Sequence, residues 1–483
     1  MTDPLSPTPA SSPTRTPAST LVDLLDSRAA EHPDRIAWVF DLPERPRESL
    51  TYDEIARRST HLAQALSERG VRTGDHVGVQ LGNVPATGLV WFALMRLGAA
   101  IVPLNVRYRS TDRSHILDDA GVRLLVDDAT YAELSAAAPQ HPWREAPLDP
   151  ETVVNVQYTS GTTGRPKGCL LTHRYWTTLG DSLISGHPHL DESDVLLTAQ
   201  PFHYVDPQWN VVAALMAGAR LVVLDAFHPS SFWAKVREHQ VTYVYCLASM
   251  PVLLLRMPPA PTDRDHRVRV VQCSAIPPAV HAGLEERFGV PWFECFGMTE
   301  TGADIRVGAD EHDALVGSGC LGRPAAHRET RVDEAGQLWL RGPGMMLGYL
   351  GHPAPFDEDG WFPTGDLART DDEGRLYLAG RLKDMIRRSG ENIAAVEVEE
   401  VLLSHPAVQV AAVIGVPDEV RGEEVAAYVV APGADEAELH AWCAERLAPF
   451  KVPSIWRFRD ELPLTASLRV EKAALRREVA GAS

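Results

Sequence analysis

The sequence predicts an α/β protein with a large N-terminal domain of doubly wound sheets plus a β-subdomain, followed by a small mobile α+β domain. Short apolar runs alternate with amphipathic stretches through the first 300 residues, which is typical of parallel sheets covered by helices. From about residue 336 the pattern changes to short strands with Asp-Gly and Glu-Gly turns. We predict a disordered tail at residues 1–19, the large domain at 20–382 and the small domain at 383–483.

Composition and charge exclude several classes of protein. The formal net charge of -19 argues against nonspecific nucleic-acid binding, which requires a basic face. The six cysteines are scattered without paired spacing, which favours reduced thiols in the cytoplasm over a disulfide framework. Residues 1–19 are rich in Pro, Ser and Thr and lack the apolar run of a signal peptide. No stretch is long and apolar enough for a membrane span, so we expect a soluble protein without a membrane partner.

The first half of the chain begins with a well-marked helix. Thr51 and Glu54 form a capping-box pattern, and apolar residues then recur at helical spacing as far as Gly70. The following alternation predicts a helix at 86–97 and strands at 76–81, 99–104, 123–127 and 153–158.

The second half repeats this alternation and then changes. Further strands are predicted at 195–199, 219–224, 241–247 and 268–273, with helices between them. The small domain is predicted to contain a helix at 396–404, strands at 408–414 and 424–430, a helix at 435–447 and a polar tail.

Residues 158–168, YTSGTTGRPKG, have the composition of a phosphate-binding loop. The stretch holds three glycines, four Ser or Thr hydroxyls and Lys167. Glycines let the backbone approach an anion, hydroxyls and free N–H groups donate hydrogen bonds, and the lysine adds positive charge. Because Pro166 precedes the lysine and Gly168 follows it, the loop is not a Walker P-loop. It follows the predicted strand at 153–158, at the sheet edge where parallel sheets bind ligands.

This loop resembles the signature of the adenylate-forming superfamily, which includes acyl-CoA synthetases, aryl-CoA ligases and adenylation domains of peptide synthetases. In that family the loop wraps the β- and γ-phosphates of ATP and helps to expel pyrophosphate. The resemblance assigns that last task to Thr162, Thr163 and Lys167, and it also places Thr162 near magnesium. The nucleotide-binding residues implied in this loop are Thr159, Ser160, Gly161, Thr162, Thr163, Gly164 and Lys167.

Two further motifs support the resemblance. The stretch 294–300, ECFGMTE, resembles the family motif in which an aromatic ring stacks on adenine and a glutamate holds magnesium; it implies nucleotide-binding roles for Glu294, Phe296 and Thr299, with Glu300 as metal ligand. The family more often has tyrosine at the aromatic position. The turn at 364–367, TGDL, resembles the ribose-binding turn, so the resemblance implies that its Asp accepts hydrogen bonds from both ribose hydroxyls.

The junction between the predicted domains carries the remaining nucleotide residues. The resemblance implies that Asp366 and Arg381 contact the ribose and that Lys383 is the hinge of a rotating small domain. Near the C-terminus, the family has a catalytic lysine where this chain has Arg469. Arginine keeps the charge but is planar and forked, so the exchange is not conservative. Three alternatives stay open: Arg469 replaces the lysine, Lys472 reaches in instead, or the first half-reaction is slow or altered.

The acid-binding site is predicted from order in the chain. His203 matches a family position for a gate beside the carboxylate. Asp206 and Trp209 are substrate-binding candidates that could hold an amino or cationic group, although an N-cap aspartate followed by proline explains Asp206 without any ligand. Cys273 and Cys295 stand where relatives have small glycine-rich stretches, so their volume predicts a narrow pocket for a short, branched or aromatic acid.

The resemblance implies an ATP-dependent, AMP-forming ligase. A small carboxylic acid would form an acyl-adenylate with ATP and Mg²⁺, and either coenzyme A or a carrier-protein thiol would then accept the acyl group. The segment 201–233 is similar to the carnitine-CoA and crotonobetaine-CoA ligase branch. One alternative is a diazotase-type relative that activates nitrite and transfers it to an aryl amine. Another is a catalytically inert nucleotide-binding protein.

Overall fold

A computed structural model describes residues 20–43, 45–138, 147–159, 166–247, 249–464 and 470–481. Three of the sequence predictions lie outside the described residues: the tail at 1–19, the loop residues from Ser160 to Gly164, and Arg469.

The described chain alternates helices with strands. The helices are α1 (Leu21–Glu31), α2 (Tyr52–Glu68), α3 (Pro85–Leu97), α4 (Ser110–Asp119), α5 (Asp128–Ala136), α6 (His173–Ser185), α7 (Val205–Ala217), α8 (Pro229–Glu238), α9 (Met250–Arg256), α10 (Pro278–Phe288), α11 (His312–Leu315), α12 (Ala395–Leu403), α13 (Glu436–Ala444) and α14 (Lys472–Gly481).

The strands are β1 (Ile36–Asp41), β2 (Glu48–Thr51), β3 (His76–Val79), β4 (Ala100–Pro103), β5 (Leu124–Val126), β6 (Val153–Thr159), β7 (Lys167–Thr172), β8 (Val195–Thr198), β9 (Arg220–Leu224), β10 (Tyr243–Leu247), β11 (Val270–Ser274), β12 (Trp292–Met298), β13 (Gly302–Arg306), β14 (Cys320–Pro324), β15 (Glu329–Val332), β16 (Gln337–Arg341), β17 (Phe362–Thr370), β18 (Leu376–Arg381), β19 (Met385–Arg388), β20 (Glu391–Ala394), β21 (Val410–Asp418), β22 (Gly422–Val430) and β23 (Ile455–Phe458).

The large N-terminal part contains two sheets. One has the order β5-β3-β4-β6-β7, parallel except for β7, which returns antiparallel to β6. The other runs β15-β16-β17-β18-β14-β13-β12-β11-β10-β8-β9-β1-β2. In this sheet β12, β11, β10, β8, β9 and β1 are parallel. Strands β13 to β18 form an antiparallel β-subdomain, which begins earlier than the predicted change at about residue 336.

Local sequence explains where the helices begin and end. At the start of α2, the Thr51 hydroxyl accepts from the Glu54 N–H at 3.2 Å and the Glu54 carboxylate accepts from the Thr51 N–H at 2.8 Å, as the capping-box pattern predicts. Helix α3 is buried on all sides and ends at Gly98, whose φ of 64° suits glycine.

The smaller C-terminal part follows a 3-10 turn at Leu382–Asp384. Its sheet has the order β20-β19-β22-β21, with β23 parallel to β22. The Arg256 guanidinium of α9 donates to the Val408 carbonyl at 3.0 Å and so links the large part to the small one. The prediction of a polar tail after the last helix was wrong, since β23 and α14 follow and Leu475 of α14 is 2 % exposed.

Within the described ranges, no helix combines the length and the apolar character needed to cross a membrane. All six cysteines are free thiols.

Candidate functional site

The hairpin β6–β7 places Lys167 opposite Thr159, and both residues belong to the predicted phosphate loop at 158–168. A separate segment, residues 347–350, runs alongside the outer strand of this hairpin. Its backbone exchanges hydrogen bonds with Leu170 at 2.9 and 3.0 Å and donates to the Gly168 carbonyl at 2.8 Å. This pairing brings Tyr349 beside the start of β7.

Tyr349 joins the lysine of the phosphate loop to the predicted magnesium ligand. The Lys167 ammonium lies 5.2 Å from the centre of the Tyr349 ring, within cation–π range. The Tyr349 hydroxyl donates to a carboxylate oxygen of Glu300 at 2.9 Å. The structure therefore brings Lys167 and Glu300 together through a residue that the sequence motifs did not include.

Glu300 lies in a turn after β12, next to Thr299. Burial raises the pKa of its carboxyl group, and the nearby Asp366 carboxylate also raises it. The hydrogen bond from Tyr349 and the positive charge of Arg381 act in the opposite direction. Glu300 is thus close enough to Asp366 and Arg381 to share one electrostatic environment with them.

Asp366 and Arg381 are cross-strand neighbours on β17 and β18. Arg381 Nε lies 2.6 Å from Asp366 Oδ1, and the Asp366 side chain is 1 % exposed whereas that of Arg381 is 42 % exposed. Gly365, with a φ of 73°, has no atom within 4 Å of where a Cβ would stand. A buried carboxylate beside an open turn suits a ribose diol.

Lys383 lies in the 3-10 turn directly after β18. Burial lowers the pKa of its ammonium group, and the charge of Arg381 lowers it further. The predicted hinge therefore adjoins the predicted ribose site.

The residues present fit a magnesium ion. Glu300 is a partly buried carboxylate, a hard oxygen ligand, and its Tyr349 hydrogen bond occupies one oxygen and fixes its orientation. Burial disfavours the charged carboxylate, which a divalent cation would stabilise.

A pocket of about 450 Å³, measured with its open mouth, lies beside this group. Its walls are mainly apolar and include Leu179, Leu183, Trp209, Tyr245, Phe296 and Ile305. Trp209 donates its indole N–H to the Tyr175 hydroxyl at 3.1 Å, so its ring edge is fixed. Cys295 also lines the pocket, as expected from its position.

The structure corrects the expectation for Cys273. Alternate residues of a strand point to opposite faces, and on β11 it is Gln272 and Ser274 that line the pocket. The Cys273 side chain is fully buried on the other face of the strand.

Two candidates near the start of α7 have different surroundings. The helix begins at Val205 with Tyr204 as N-cap, so the reading of Asp206 as the N-cap was wrong; Asp206 occupies the first turn. Asp206 raises the pKa values of Tyr245 and Cys295, which places it near the pocket wall. Burial lowers the pKa of His203 to about 4, so this imidazole is neutral at physiological pH.

Glu294 does not face outward as a nucleotide ligand would. Its side chain is 5 % exposed, and its two oxygens accept from the N–H groups of Ala275 and Ile276, both at 2.7 Å. Ala275 has a φ of 70°, a conformation unusual for a residue with a Cβ. Glu294 thus holds the backbone of Ala275 and Ile276 in place, and its nucleotide-binding role stays a prediction.

Lys472 is engaged within the small C-terminal part. Its ammonium lies 2.7 Å from Glu399 and 3.9 Å from Asp384, and Arg476 contacts Asp384 at 2.6 Å. Because Lys472 is paired in this way, the arrangement does not favour the alternative in which it replaces the family's catalytic lysine.

Sequence reasoning missed several side chains that the fold brings to the site, among them Tyr349, Asn210 and Arg306. Tyr349 comes from an irregular segment between glycines, and Asn210 and Arg306 line the pocket from α7 and β13. Asn210 stands four residues after Asp206, one helical turn further on the same face, which was an available signal.

Comparison with known families decides the membership of the chain. The family model described as "AMP-binding enzyme" matches residues 25–350, and the one described as "AMP-binding enzyme C-terminal domain" matches residues 397–469. The chain belongs to the AMP-binding enzyme family. The family and the α/β fold with a large N-terminal and a smaller C-terminal domain are as predicted from the sequence.

Curated relatives within the AMP-binding family span nearly the whole chain. A crotonobetaine/carnitine-CoA ligase of Salmonella arizonae is 30% identical over 94% of this chain and 98% of its own length. A feruloyl-CoA synthase of Amycolatopsis sp. is 34% identical over 89% of this chain and 94% of its own.

Solved structures agree with this membership. The o-succinylbenzoate CoA synthetase of Bacillus subtilis, solved with its acyl-adenylate intermediate, has a TM-score of 0.84 at 28% identity, covering 94% of this chain and 97% of that one. The same synthetase with ATP and magnesium ion also gives 0.84 at 28% identity, covering 95% and 99%.

Proposed function

We propose that this protein uses ATP and Mg²⁺ to activate a small or aromatic carboxylic acid as an acyl-adenylate and then transfers the acyl group to coenzyme A. The observation that carries the proposal is the grouping of Lys167, Glu300, Asp366 and Arg381 beside one apolar pocket. These are the parts that phosphate, metal, ribose and an organic acid each require.

In the first half-reaction, a carboxylate oxygen of the acid attacks the α-phosphorus of ATP, and pyrophosphate leaves. Lys167 neutralises charge on the leaving pyrophosphate, together with Thr162 and Thr163 of the preceding loop. Asp366 and Arg381 hold the ribose, and Phe296 packs against the adenine. Bound at Glu300, magnesium would supply Lewis-acid charge to the phosphate oxygens.

In the second half-reaction, the thiol of coenzyme A attacks the acyl carbon and AMP leaves with the bonding electron pair. We propose that the small domain begins at Lys383 and turns there between the two steps. The neutral imidazole of His203 is suited to gate the carboxylate side of the pocket without a charge of its own. Arg469 is the proposed cation for the attacking carboxylate, because Lys472 is paired with Glu399.

The relatives support this range of substrates. Their names specify feruloyl, crotonobetainyl or carnitinyl, and o-succinylbenzoyl groups, each of which is the acyl group of a small organic acid. The free cysteines suit a cytoplasmic location, and the charge of -19 argues against a nucleic-acid partner. A carrier-protein thiol is the other acceptor compatible with the second step.

Pyrophosphate release tests the proposal directly. Purified protein is mixed with ATP, Mg²⁺ and single short, betaine-type or aryl acids, with and without coenzyme A, and products are identified by mass. Acid-dependent release with a CoA thioester is the expected result. Release that needs nitrite and an aryl amine, without thioester, would replace the ligase with a diazotase, and nucleotide binding without turnover would identify an inert protein.

A further inference from the structure

A buried cation lines the acid pocket. Arg306 is the last residue of β13, pairs across the strands with Cys295, and is 8 % exposed. It lines the pocket together with Tyr243 and Leu183. Burial raises the pKa values of Cys295 and Tyr243, and the charge of Arg306 opposes that rise, which places the guanidinium close to both side chains.

The protein supplies Arg306 with neutral acceptors. Nη1 donates to the carbonyls of Ser182 and His187 at 2.9 and 2.6 Å, and Nη2 donates to the Ser182 hydroxyl at 3.0 Å. Among the residues that the structure describes, no carboxylate forms an ion pair with this guanidinium; burial lowers its pKa, and the Asp304 carboxylate opposes that shift without forming an ion pair with it. Asp304, two residues earlier on the strand, is held by Arg328 at 2.7 Å.

Neighbouring side chains in the pocket do not compensate for this charge. Burial raises the pKa of Cys295 to about 12 and raises that of Tyr243 as well, so both are neutral at physiological pH. A buried guanidinium without an anionic partner is costly, because desolvation is not offset by an ion pair. A bound anion would remove that cost.

Asn210 provides a second, independent observation. Its side chain lines the same pocket from α7 and is 3 % exposed. Its amide nitrogen Nδ2 is buried and has no acceptor within the described parts of the chain. Buried donors are normally paired, so an unpaired one in a binding pocket indicates an acceptor on the ligand.

We infer that the acid activated by this protein is a dicarboxylic acid, whose second carboxylate binds Arg306 and accepts from Asn210 in the pocket. This inference rests on the proposed function, because it assumes that the pocket holds the acyl part of the substrate. The apolar walls of the pocket, formed by Leu179, Trp209 and Ile305, fit a ring or a branched skeleton.

Matched acids test the inference. Cinnamate, 4-hydroxycinnamate and 4-carboxycinnamate share one skeleton and differ only at the far end. We expect kcat/KM for pyrophosphate release to be about 100-fold higher for the dicarboxylic acid than for cinnamate, as for other charge-assisted contacts in a buried site. A preference for cinnamate or for the hydroxy acid would overturn the inference.

Two variants test whether Arg306 and Asn210 cause the preference for the dicarboxylic acid. Arg306→Gln removes the charge, and Asn210→Asp places a negative charge at the second contact with nearly unchanged volume. Each is expected to lower kcat/KM for 4-carboxycinnamate about 100-fold more than it lowers kcat/KM for cinnamate. Equal losses for both acids, with Asn210→Asp still folded, would mean that these residues only support the fold.

Equilibrium binding keeps this test separate from the proposed activity. Calorimetric titration of the three acids into the AMP-bound protein should show the same preference and the same loss in both variants. If turnover requires nitrite and an amino-aryl acid, the ligase proposal fails, while selective binding of 4-carboxycinnamate still supports the second carboxylate site. Equal affinity for all three acids would reject that site, whatever reaction the protein catalyses.

Discussion

Glu300 combines a hard carboxylate, partial burial and a hydrogen bond from Tyr349. A buried carboxylate is costly when charged, and a divalent cation offsets that cost. Glu300→Gln keeps the shape and removes the charge, so we expect kcat for pyrophosphate release to fall by about 100-fold or more, with a higher magnesium requirement.

The matched control for this substitution is Glu358→Gln. Glu358 is an exposed residue in the turn before β17 and touches none of the site. Full activity of Glu300→Gln at ordinary magnesium concentration would show that another group binds the metal.

Tyr349 is predicted to act through Glu300. Tyr349→Phe keeps the ring beside Lys167 and removes the donor at 2.9 Å. Hydrogen bonds to charged groups contribute about 1.5–3 kcal/mol, so the magnesium concentration for half-maximal activity should rise about tenfold. Since the lost bond lowers the pKa of Glu300, the defect should grow as pH falls and Glu300 takes up a proton.

Tyr377→Phe is the control for this second substitution. Tyr377 also donates to a carboxylate, that of Asp371 at 3.2 Å, in the β-subdomain. A magnesium titration of Tyr349→Phe that overlays those of Tyr377→Phe and the unaltered protein would contradict the positioning role.

At the scale of single elements, the capping box of α2 was readable from sequence and is formed as predicted. Thr51→Ala removes the hydroxyl that accepts from the Glu54 N–H, which should lower the free energy of unfolding by about 1 kcal/mol. Thr60→Ala serves as control, because the Thr60 hydroxyl only bonds back to the Ala56 carbonyl within the same helix.

Chemical denaturation followed by tryptophan fluorescence measures this difference. The control substitution should leave the midpoint unchanged or raise it slightly, since alanine favours the helix interior. If both substitutions lower the midpoint equally, the cap adds no stability of its own.

Regular elements could be predicted because their signals are local. The strand predicted at 153–158 is observed as Val153–Thr159, and the helix predicted at 86–97 as Pro85–Leu97. The pairing of residues 347–350 with β7 could not be predicted, because it joins segments about 180 residues apart and depends on the tertiary fold. Tyr349 was missed for this reason.

The same limit applies to the pocket. Motifs identified Phe296 and Cys295, which both line it, because they lie beside the family signature. Arg306 and Asn210 belong to no motif. The role of a buried arginine cannot be predicted from the sequence, because it depends on which groups surround its charge in the fold. Cys273 shows the reverse case: its position in the chain was right, but strand alternation turned its side chain away.

At the scale of the whole molecule, the large and small parts meet near the ribose site. Lys383 lies in a 3-10 turn between β18 and β19, two positions after Arg381, which is the last residue of β18. Arg256 of the large part donates a hydrogen bond to the Val408 carbonyl of the small part. Because the acceptor is a neutral backbone group, a rotation of the small part could break this hydrogen bond. This arrangement allows the two half-reactions to use different orientations of the small domain.

Lys383→Pro tests that rotation. Proline fixes its own φ near -65° and disfavours helical geometry in the preceding residue, so the turn loses the freedom that a hinge needs. In single-turnover experiments we expect thioester formation to slow by at least about tenfold and acyl-adenylate formation by less than about threefold. Lys383→Ala, which keeps the backbone free, separates the hinge from any role of the ammonium group. If Lys383→Pro slows both steps equally, the domain does not alternate about this residue.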